Sequence, residues 1–117
     1  MKLGFGLYRG SLNKENFQFV KQTGATHVVA HLTNYFSGHN PEISSGDNDG
    51  WGVCDQEPIW DIELLGNLKK EINSYGLHLE ALENFNPLHW HDILLDGPKK
   101  NEQIEDLKIL LKNMGEV

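Results

Sequence analysis

The alternation of strand-like and helix-like segments constrains this chain more than any other feature of its sequence. Short apolar runs occupy residues 3–8, 26–32 and 77–84, and a segment with helical periodicity lies between each run and the next and again after the last. Strands that alternate with helices predict parallel βαβ units. Three such units form an open wedge, so the pattern predicts the first part of a larger α/β protein.

Three segments carry the periodicity of amphipathic helices. The first follows Ser11 or Asn13, either of which is a suitable N-cap, and it ends at Gly24. The second opens at Asp61 and the third at Asn101. The third is expected to bury an apolar stripe formed by Ile104, Leu107, Leu110, Leu111 and Met114.

Two stretches without clear periodicity are predicted to be loops, residues 33–59 and 85–100. The first contains 4 glycines and 2 prolines, and a loop of this length in a compact α/β domain is usually functional or disordered. We expect it to fold over the carboxyl ends of the strands. Trp51 within it is predicted either to cover a substrate or to plug the loop itself.

Charge and composition limit the partners of the chain. With 10 basic and 17 acidic residues, the formal net charge of −7 argues against binding to a nucleic-acid backbone. The amino terminus lacks the apolar core of a signal peptide, and no run approaches the ~18 apolar residues of a membrane span. The single cysteine, Cys54, excludes an internal disulfide and fits a reducing compartment. We therefore expect a cytoplasmic protein without a membrane partner.

Polar side chains stand at the predicted exits of all three strands. The first strand ends at Tyr8-Arg9, the second at His31 and the third at Glu83-Asn84. Because βα folds build ligand sites at the carboxyl ends of their strands, a cation, an imidazole and a carboxylate are expected to converge at one rim. Such a set can hold a polyhydroxy acid, since arginine pairs with a carboxylate while histidine and glutamate bind hydroxyls or move protons.

Each of these residues has a structural alternative. Arg9 is also explained as a surface cation in a turn, and His31 as a hydrogen-bonded core histidine. A structural role fits Glu83 less well, because an ionised carboxylate is costly to bury at the exit of an apolar strand. Earlier in the second and third strands, His27 is predicted to be structural and Glu80 to face helices or solvent.

The segment His89-Trp90-His91 contains two histidines that resemble a metal-binding pair. They share a face only if the segment is extended, and no third ligand lies nearby at a zinc-like spacing. We therefore assign no metal ligand to this chain. The segment is interpreted as a loop anchor in which Trp90 packs and a histidine lies near the substrate.

Several stretches of the sequence carry a family resemblance. The segment Glu83-Asn84-x-x-Pro87-x-His89, followed by Ile93, closely resembles the third-strand exit of the mannonate dehydratase family. The resemblance extends over nearly the whole chain, through LYRG, QTGATHVVAHL, IWDIELLGNLKKEINSYGLHLEALEN and PLHWHDILLDGPKKNEQIEDLKILLKNMG. One departure follows the first strand, where the family often has a tryptophan-tyrosine-glycine-proline type of sequence in place of LYRG.

The resemblance implies a fold, an activity and a cofactor. The fold is a TIM barrel, (β/α)8, related to the xylose-isomerase-like group, and residues 1–117 would be its incomplete N-terminal portion with three βα units. The activity is the dehydration of D-mannonate to 2-dehydro-3-deoxy-D-gluconate in hexuronate (glucuronate) catabolism. The cofactor is Mn²⁺ or Fe²⁺, held by His, Cys, His and Asp ligands on later strands. The first three strands would contribute to the substrate cradle through Arg9, His31, Glu83, Asn84 and His89.

Two other functions fit the same residues. One is a metal-dependent sugar isomerase or epimerase of the same barrel group. The other is a non-catalytic module that binds sugar acids, or an incomplete gene product. The 117 residues alone are expected to be an inactive fragment. The catalytic acid and base are unassigned, and a homo-oligomer is left open.

Overall fold

Three parallel strands form the sheet of the computed structural model, which describes residues 1–33 and 60–117. The strands β1 (Gly4–Leu7), β2 (His27–His31) and β3 (His78–Glu83) lie in chain order and pair in parallel. The predicted α/β class with a parallel sheet is confirmed, and each strand is one residue shorter at each end than predicted. Most of the predicted loop 33–59, with Trp51 and Cys54, lies outside the described residues.

Two helices begin at side-chain caps that the sequence predicted. Helix α1 (Lys14–Gln22) is capped by Asn13, whose Oδ1 accepts a hydrogen bond from the backbone N–H of Asn16 at 3.1 Å. Ser11, the first of the two candidate caps with Asn13 as its rival, instead ends a short 3-10 helix (Arg9–Ser11). Helix α2 (Ile62–Ser74) is capped by Asp61. These local hydrogen bonds explain why both helix starts were readable from sequence.

The prediction of a loop over residues 85–100 is wrong for much of that stretch. It contains a 3-10 helix (Pro87–His89) and the short helix α3 (His91–Leu95), and helix α4 (Lys100–Glu116) begins one residue before Asn101. Neither short helix is long enough to show a periodic pattern. Trp90 occupies the N-cap position of α3, but its side chain makes no capping hydrogen bond to the helix. The usual sequence signal for a helix start is therefore also missing. No described helix is both long and apolar enough to cross a membrane.

One face of the sheet carries the core. Helices α1 and α2 both pack on this face, where the buried set comprises Leu7, Phe17, Val20, Val28, Ala30, Leu68 and Ile72. Helix α4 extends the same core through Leu110, which packs with Leu32 and Leu65. Leu111 was predicted to belong to the buried apolar stripe of α4. That prediction is wrong, because Leu111 is 57% exposed. Leu110 already occupies the inward position, so its neighbour in sequence points away from the core.

The opposite face of the sheet is left uncovered by the described elements. Strand alternation in β1 and β2, together with the pairing register of β3, assigns eight residues to this face. All are exposed or half-buried: Gly4, Gly6, His27, Val29, His31, His78, Ala81 and Glu83. A doubly wound fold would place helices on both faces. Among the described residues, all helices that contact the sheet lie on one side, which leaves the polar face open.

Candidate functional site

Adjacent strand ends bring three predicted site residues together. His31 at the end of β2 is paired in register with Glu83 at the end of β3, and Asn84 follows directly. The Nε2 atom of His31 lies 3.6 Å from Oε2 of Glu83, and the Nδ1 atom lies 3.0 Å from Nδ2 of Asn84. We call these three residues the rim cluster. Their role in substrate binding stays a prediction.

In the rim cluster, the Glu83 carboxylate faces solvent as a hydrogen-bond acceptor, and the neighbouring His31 ring is largely buried. The Glu83 side chain is 54% exposed, whereas that of His31 is 12% exposed. A carboxylate in this position can accept hydrogen bonds from the hydroxyls of a polar ligand, and the neighbouring imidazole can donate or exchange a proton. The arrangement therefore suits a small polyhydroxy ligand at the open face of the sheet.

Tyr8 belongs beside this cluster, although sequence reasoning passed over it in favour of Arg9. Its ring lies 4.7 Å from that of His31, centre to centre, at an angle of 45°. The signal was present in the alternation of β1. Tyr8 follows the buried Leu7 and continues the face of Gly6, which is the uncovered face.

Arg9 is placed differently from the expectation of a cation inside the cluster. It begins the 3-10 helix after β1, and its guanidinium carbon lies 5.1 Å from the centre of the Trp60 ring. A cation over an indole ring is stabilised by the negative face of the aromatic system. Arg9 thus bridges the β1 exit and the start of α2. Its pairing with a substrate carboxylate stays a prediction.

His89 lies in a cleft between the 3-10 helix (Pro87–His89) and α4. The cleft is also lined by His91, Glu102, Gln103 and Asp106. Burial lowers the pKa of His89, and the nearby Asp106 carboxylate opposes this shift. Its Nε2 atom is buried without a hydrogen-bond partner among the described residues. The structure therefore groups His89 with α4 rather than with the rim cluster, and its contact with substrate stays a prediction.

Neighbouring residues anchor this segment as the sequence predicted. The indole N–H of Trp90 donates to the carbonyl of Phe85 at 2.8 Å. His91 directs Nε2 towards Oδ1 of Asp92 at 3.0 Å, so its ring is engaged in a local contact. In the described parts of the chain, no three His, Cys, Asp or Glu side chains lie close enough to hold a metal ion. The described residues therefore form no site for the divalent metal that the resemblance implies, whose ligands the resemblance places on later strands.

Gln103 on α4 is a buried polar residue that the sequence analysis missed. It is 2% exposed, and its Oε1 accepts from the backbone N–H groups of Asp92 at 2.9 Å and Ile93 at 3.3 Å. Its Nε2 donates to the carbonyl of Leu88 at 2.8 Å. Gln103 therefore caps α3 from another helix. Its spacing from Leu107 and Leu110, at i+4 and i+7, was the available signal that it faces inward.

The amino-terminal end of the sheet holds a separate ionic group. Lys2 Nζ lies 2.7 Å from Oε1 of Glu80, and His27 Nε2 lies 3.6 Å from Oε2 of the same carboxylate. The hydrogen bond from Lys2 lowers the pKa of Glu80. The structural role predicted for His27 agrees with this placement. Glu80, expected to face helices or solvent, is exposed to solvent and is held there by these two residues, beside the register shift between Val28 and Val29.

The fold and the rim cluster define a class of protein. It is a parallel α/β chain in which the described helices cover one face of the sheet, and polar side chains stand at the carboxyl ends of the strands beside the open face. A family model described as D-mannonate dehydratase (UxuA) matches residues 1–117. The chain therefore belongs to the D-mannonate dehydratase family.

A curated relative supports the same family over a shorter stretch. The mannonate dehydratase of Geobacillus thermodenitrificans (strain NG80-2) is 36% identical over 56 residues, which are 48% of this chain and 15% of the relative. The matched segment thus covers a minor part of that protein. No solved structure matches the chain.

Proposed function

We propose that the protein carrying this chain is a mannonate dehydratase, a hydro-lyase that converts D-mannonate to 2-dehydro-3-deoxy-D-gluconate and water in hexuronate breakdown. The family match over residues 1–117 carries the proposal. The name of the curated relative points to the same activity. Neither comparison favours the sugar isomerase or the non-catalytic binding module.

The proposed fold of the whole protein is a (β/α)8 barrel in which these residues form the first three βα units. Two features support it. Helices α1 and α2 cover the same face of a sheet whose strands run in chain order. The other face presents glycines and polar side chains, and it would line the barrel interior, with the rim cluster at its carboxyl end.

In this proposal two members of the rim cluster, Glu83 and His31, bind the hydroxyls of the sugar acid. Glu83 accepts a hydrogen bond from one hydroxyl and His31 contacts another, while Arg9 pairs with the carboxylate and His89 lies near the substrate. Dehydration breaks the C2–H and C3–O bonds. The proton from C2 goes to a base, and the hydroxyl leaves C3 with a proton as water. These residues orient the substrate for that exchange.

Three further proposals concern the surroundings of the site. A divalent ion, Mn²⁺ or Fe²⁺, would take its ligands elsewhere than in the described residues. A cytoplasmic location is supported by the single cysteine, because reducing compartments keep thiols unpaired. The acidic net charge of −7 supports a small-molecule substrate rather than nucleic acid.

The test is an assay of the full-length protein with D-mannonate and added Mn²⁺ or Fe²⁺, following the keto-deoxy acid. Formation of that product with loss of water is the expected result. No product from D-mannonate, together with interconversion of a ketose and an aldose in a parallel assay that supplies one of these sugars, would establish the isomerase instead. Binding of D-mannonate with no turnover under either metal would establish the binding module.

A further inference from the structure

Asn84 is held in an unusual backbone conformation by a fully buried neighbour. Its φ is +60°, a left-handed conformation that asparagine adopts more readily than most residues. The backbone N–H of Thr33 donates to the carbonyl of Asn84 at 3.2 Å, and the Thr33 hydroxyl donates to the same oxygen. Thr33 is 0% exposed. These two bonds fix the peptide group after Asn84, and with it the backbone from which the Asn84 side chain extends.

The side chain of Asn84 meets one particular nitrogen of His31. The amide Nδ2 lies 3.0 Å from Nδ1 of the ring. With Nδ2 in this position the amide N–H donates and Nδ1 accepts, and an accepting ring nitrogen carries no proton. The proton of the neutral ring then lies on Nε2.

The other side of the His31 ring faces the open rim. Its Nε2 lies 3.6 Å from Oε2 of Glu83, and the Tyr8 ring packs against the imidazole. Gly6 borders the same nitrogen, since a Cβ placed there would lie 3.6 Å from Nε2. These neighbours limit how far the ring can turn. The nitrogen that carries the proton is therefore the one beside the carboxylate.

We propose that Asn84 is a positioning residue that selects the Nε2–H tautomer of His31. The consequence for catalysis rests on the proposed function: the Nε2–H donates to a hydroxyl of the sugar acid while Glu83 accepts from another. The selection itself needs no substrate. It assigns Asn84 an effect exerted through His31, in place of the direct substrate contact expected from sequence.

Nitrogen NMR of the full-length protein labelled with ¹⁵N-histidine tests the selection directly. Spectra are recorded above the pH at which histidines titrate, and the His31 signals are assigned by their loss in His31→Phe, which keeps a ring beside Tyr8. We expect protonated Nε2 and unprotonated Nδ1 in the wild type. A wild-type ring protonated on Nδ1 would overturn the proposal without any variant.

Two variants at position 84 separate the side chain from the backbone. Asn84→Asp can only accept, so His31 should gain a proton on Nδ1. Asn84→Gly keeps the left-handed backbone without strain and removes the amide, so the His31 signals should average between the two tautomers. If Asn84→Asp folds and Nδ1 stays unprotonated, the proposal is wrong. If it does not fold, the glycine variant decides, and unchanged signals would count against the selection.

Kinetics distinguish positioning from direct contact. Asn84→Asp should lower kcat by about 10- to 100-fold, by analogy with the loss of a hydrogen-bonding partner that orients a metal-ligating histidine. In a His31→Phe background the same change should have little further effect. Losses that multiply would show direct contact with substrate. If the wild type does not act on D-mannonate, the proposed function fails in its own assay, and the NMR result still decides the tautomer.

Discussion

Two carboxylates on β3 stand three positions apart and have different surroundings. Glu80 is held by Lys2 and His27 at the amino-terminal end of the sheet. Glu83 extends from the carboxyl end, where its side chain is 54% exposed beside His31. The strand-end rule of βα folds separated these residues from sequence alone, because position along a parallel strand decides which end of the sheet a side chain occupies.

The substitution Glu83→Gln in the full-length enzyme should lower turnover much more than stability. In the proposed function the Glu83 carboxylate serves the substrate rather than the core, so its loss should appear in turnover, and a loss of ~10²–10⁴-fold would further assign it a part in proton transfer. Glu80→Gln on the same strand is the matched control and should keep turnover near that of the wild type. Steady-state kinetics and thermal melts of both variants provide the measurement. A Glu83→Gln protein that melts early yet turns over normally at low temperature would show a structural carboxylate.

At the scale of elements, the connection between α3 and α4 depends on one side chain. Gln103 caps two backbone N–H groups of α3 and binds the carbonyl of Leu88. Asp92 is buried too, and its Oδ2 accepts from the backbone N–H of Lys99 at 2.8 Å. The segment after β3 is thus ordered by hydrogen bonds across the chain rather than by its own helical propensity.

The substitution Gln103→Leu should destabilise the protein although it increases apolar burial. Each buried backbone group left unpaired costs about 1–3 kcal/mol, and two groups, the N–H of Asp92 and the carbonyl of Leu88, lose their partner, while the N–H of Ile93 keeps its bond to the carbonyl of Trp90. Urea unfolding measures the loss, and hydrogen exchange should speed up at Asp92. Gln18→Leu, at an exposed position of α1, is the control and should change stability by less than ~0.5 kcal/mol. Equal stability of the two variants would contradict the capping role.

Two glycine-to-alanine changes should shift stability in opposite directions. At Gly97 an added Cβ would lie 2.5 Å from Cγ of Asp92, whose carboxylate is held by Lys99, so we expect a loss of about 1–3 kcal/mol. At Gly66, inside α2, nothing lies within 4 Å, and alanine should add roughly 0.5–1 kcal/mol. Thermal melts of the two variants measure both effects. A Gly97→Ala protein as stable as Gly66→Ala would contradict the contact with Asp92.

At the scale of the molecule, the described elements cover only one face of the sheet. Parallel sheets are normally buried on both faces. The open face here carries Gly4, Gly6, His31 and Glu83, and the outer strands β1 and β3 expose pairing groups along their edges. The described part of the chain therefore has surface that a complete barrel would cover.

The purified 117-residue chain should show no dehydratase turnover with added Mn²⁺ and should self-associate or melt at low temperature. Its uncovered face and edges favour association, and the described residues do not fit a metal site. Sedimentation, a thermal melt and the keto-deoxy acid assay test these points, with the full-length protein as the control. Robust turnover would contradict the first expectation, and a monodisperse monomer with a sharp melt at high temperature would contradict the second.

The sequence by itself determined the features that depend on neighbouring residues. The three strands, the caps Asn13 and Asp61, and the position of Glu83 at a strand exit follow from local periodicity and short-range hydrogen bonds. Only the tertiary structure decided that Gln103 caps α3 and that Tyr8 packs against His31. These contacts join residues that lie 10 to 23 positions apart. Their energy depends on how the elements pack in space, which no local pattern encodes.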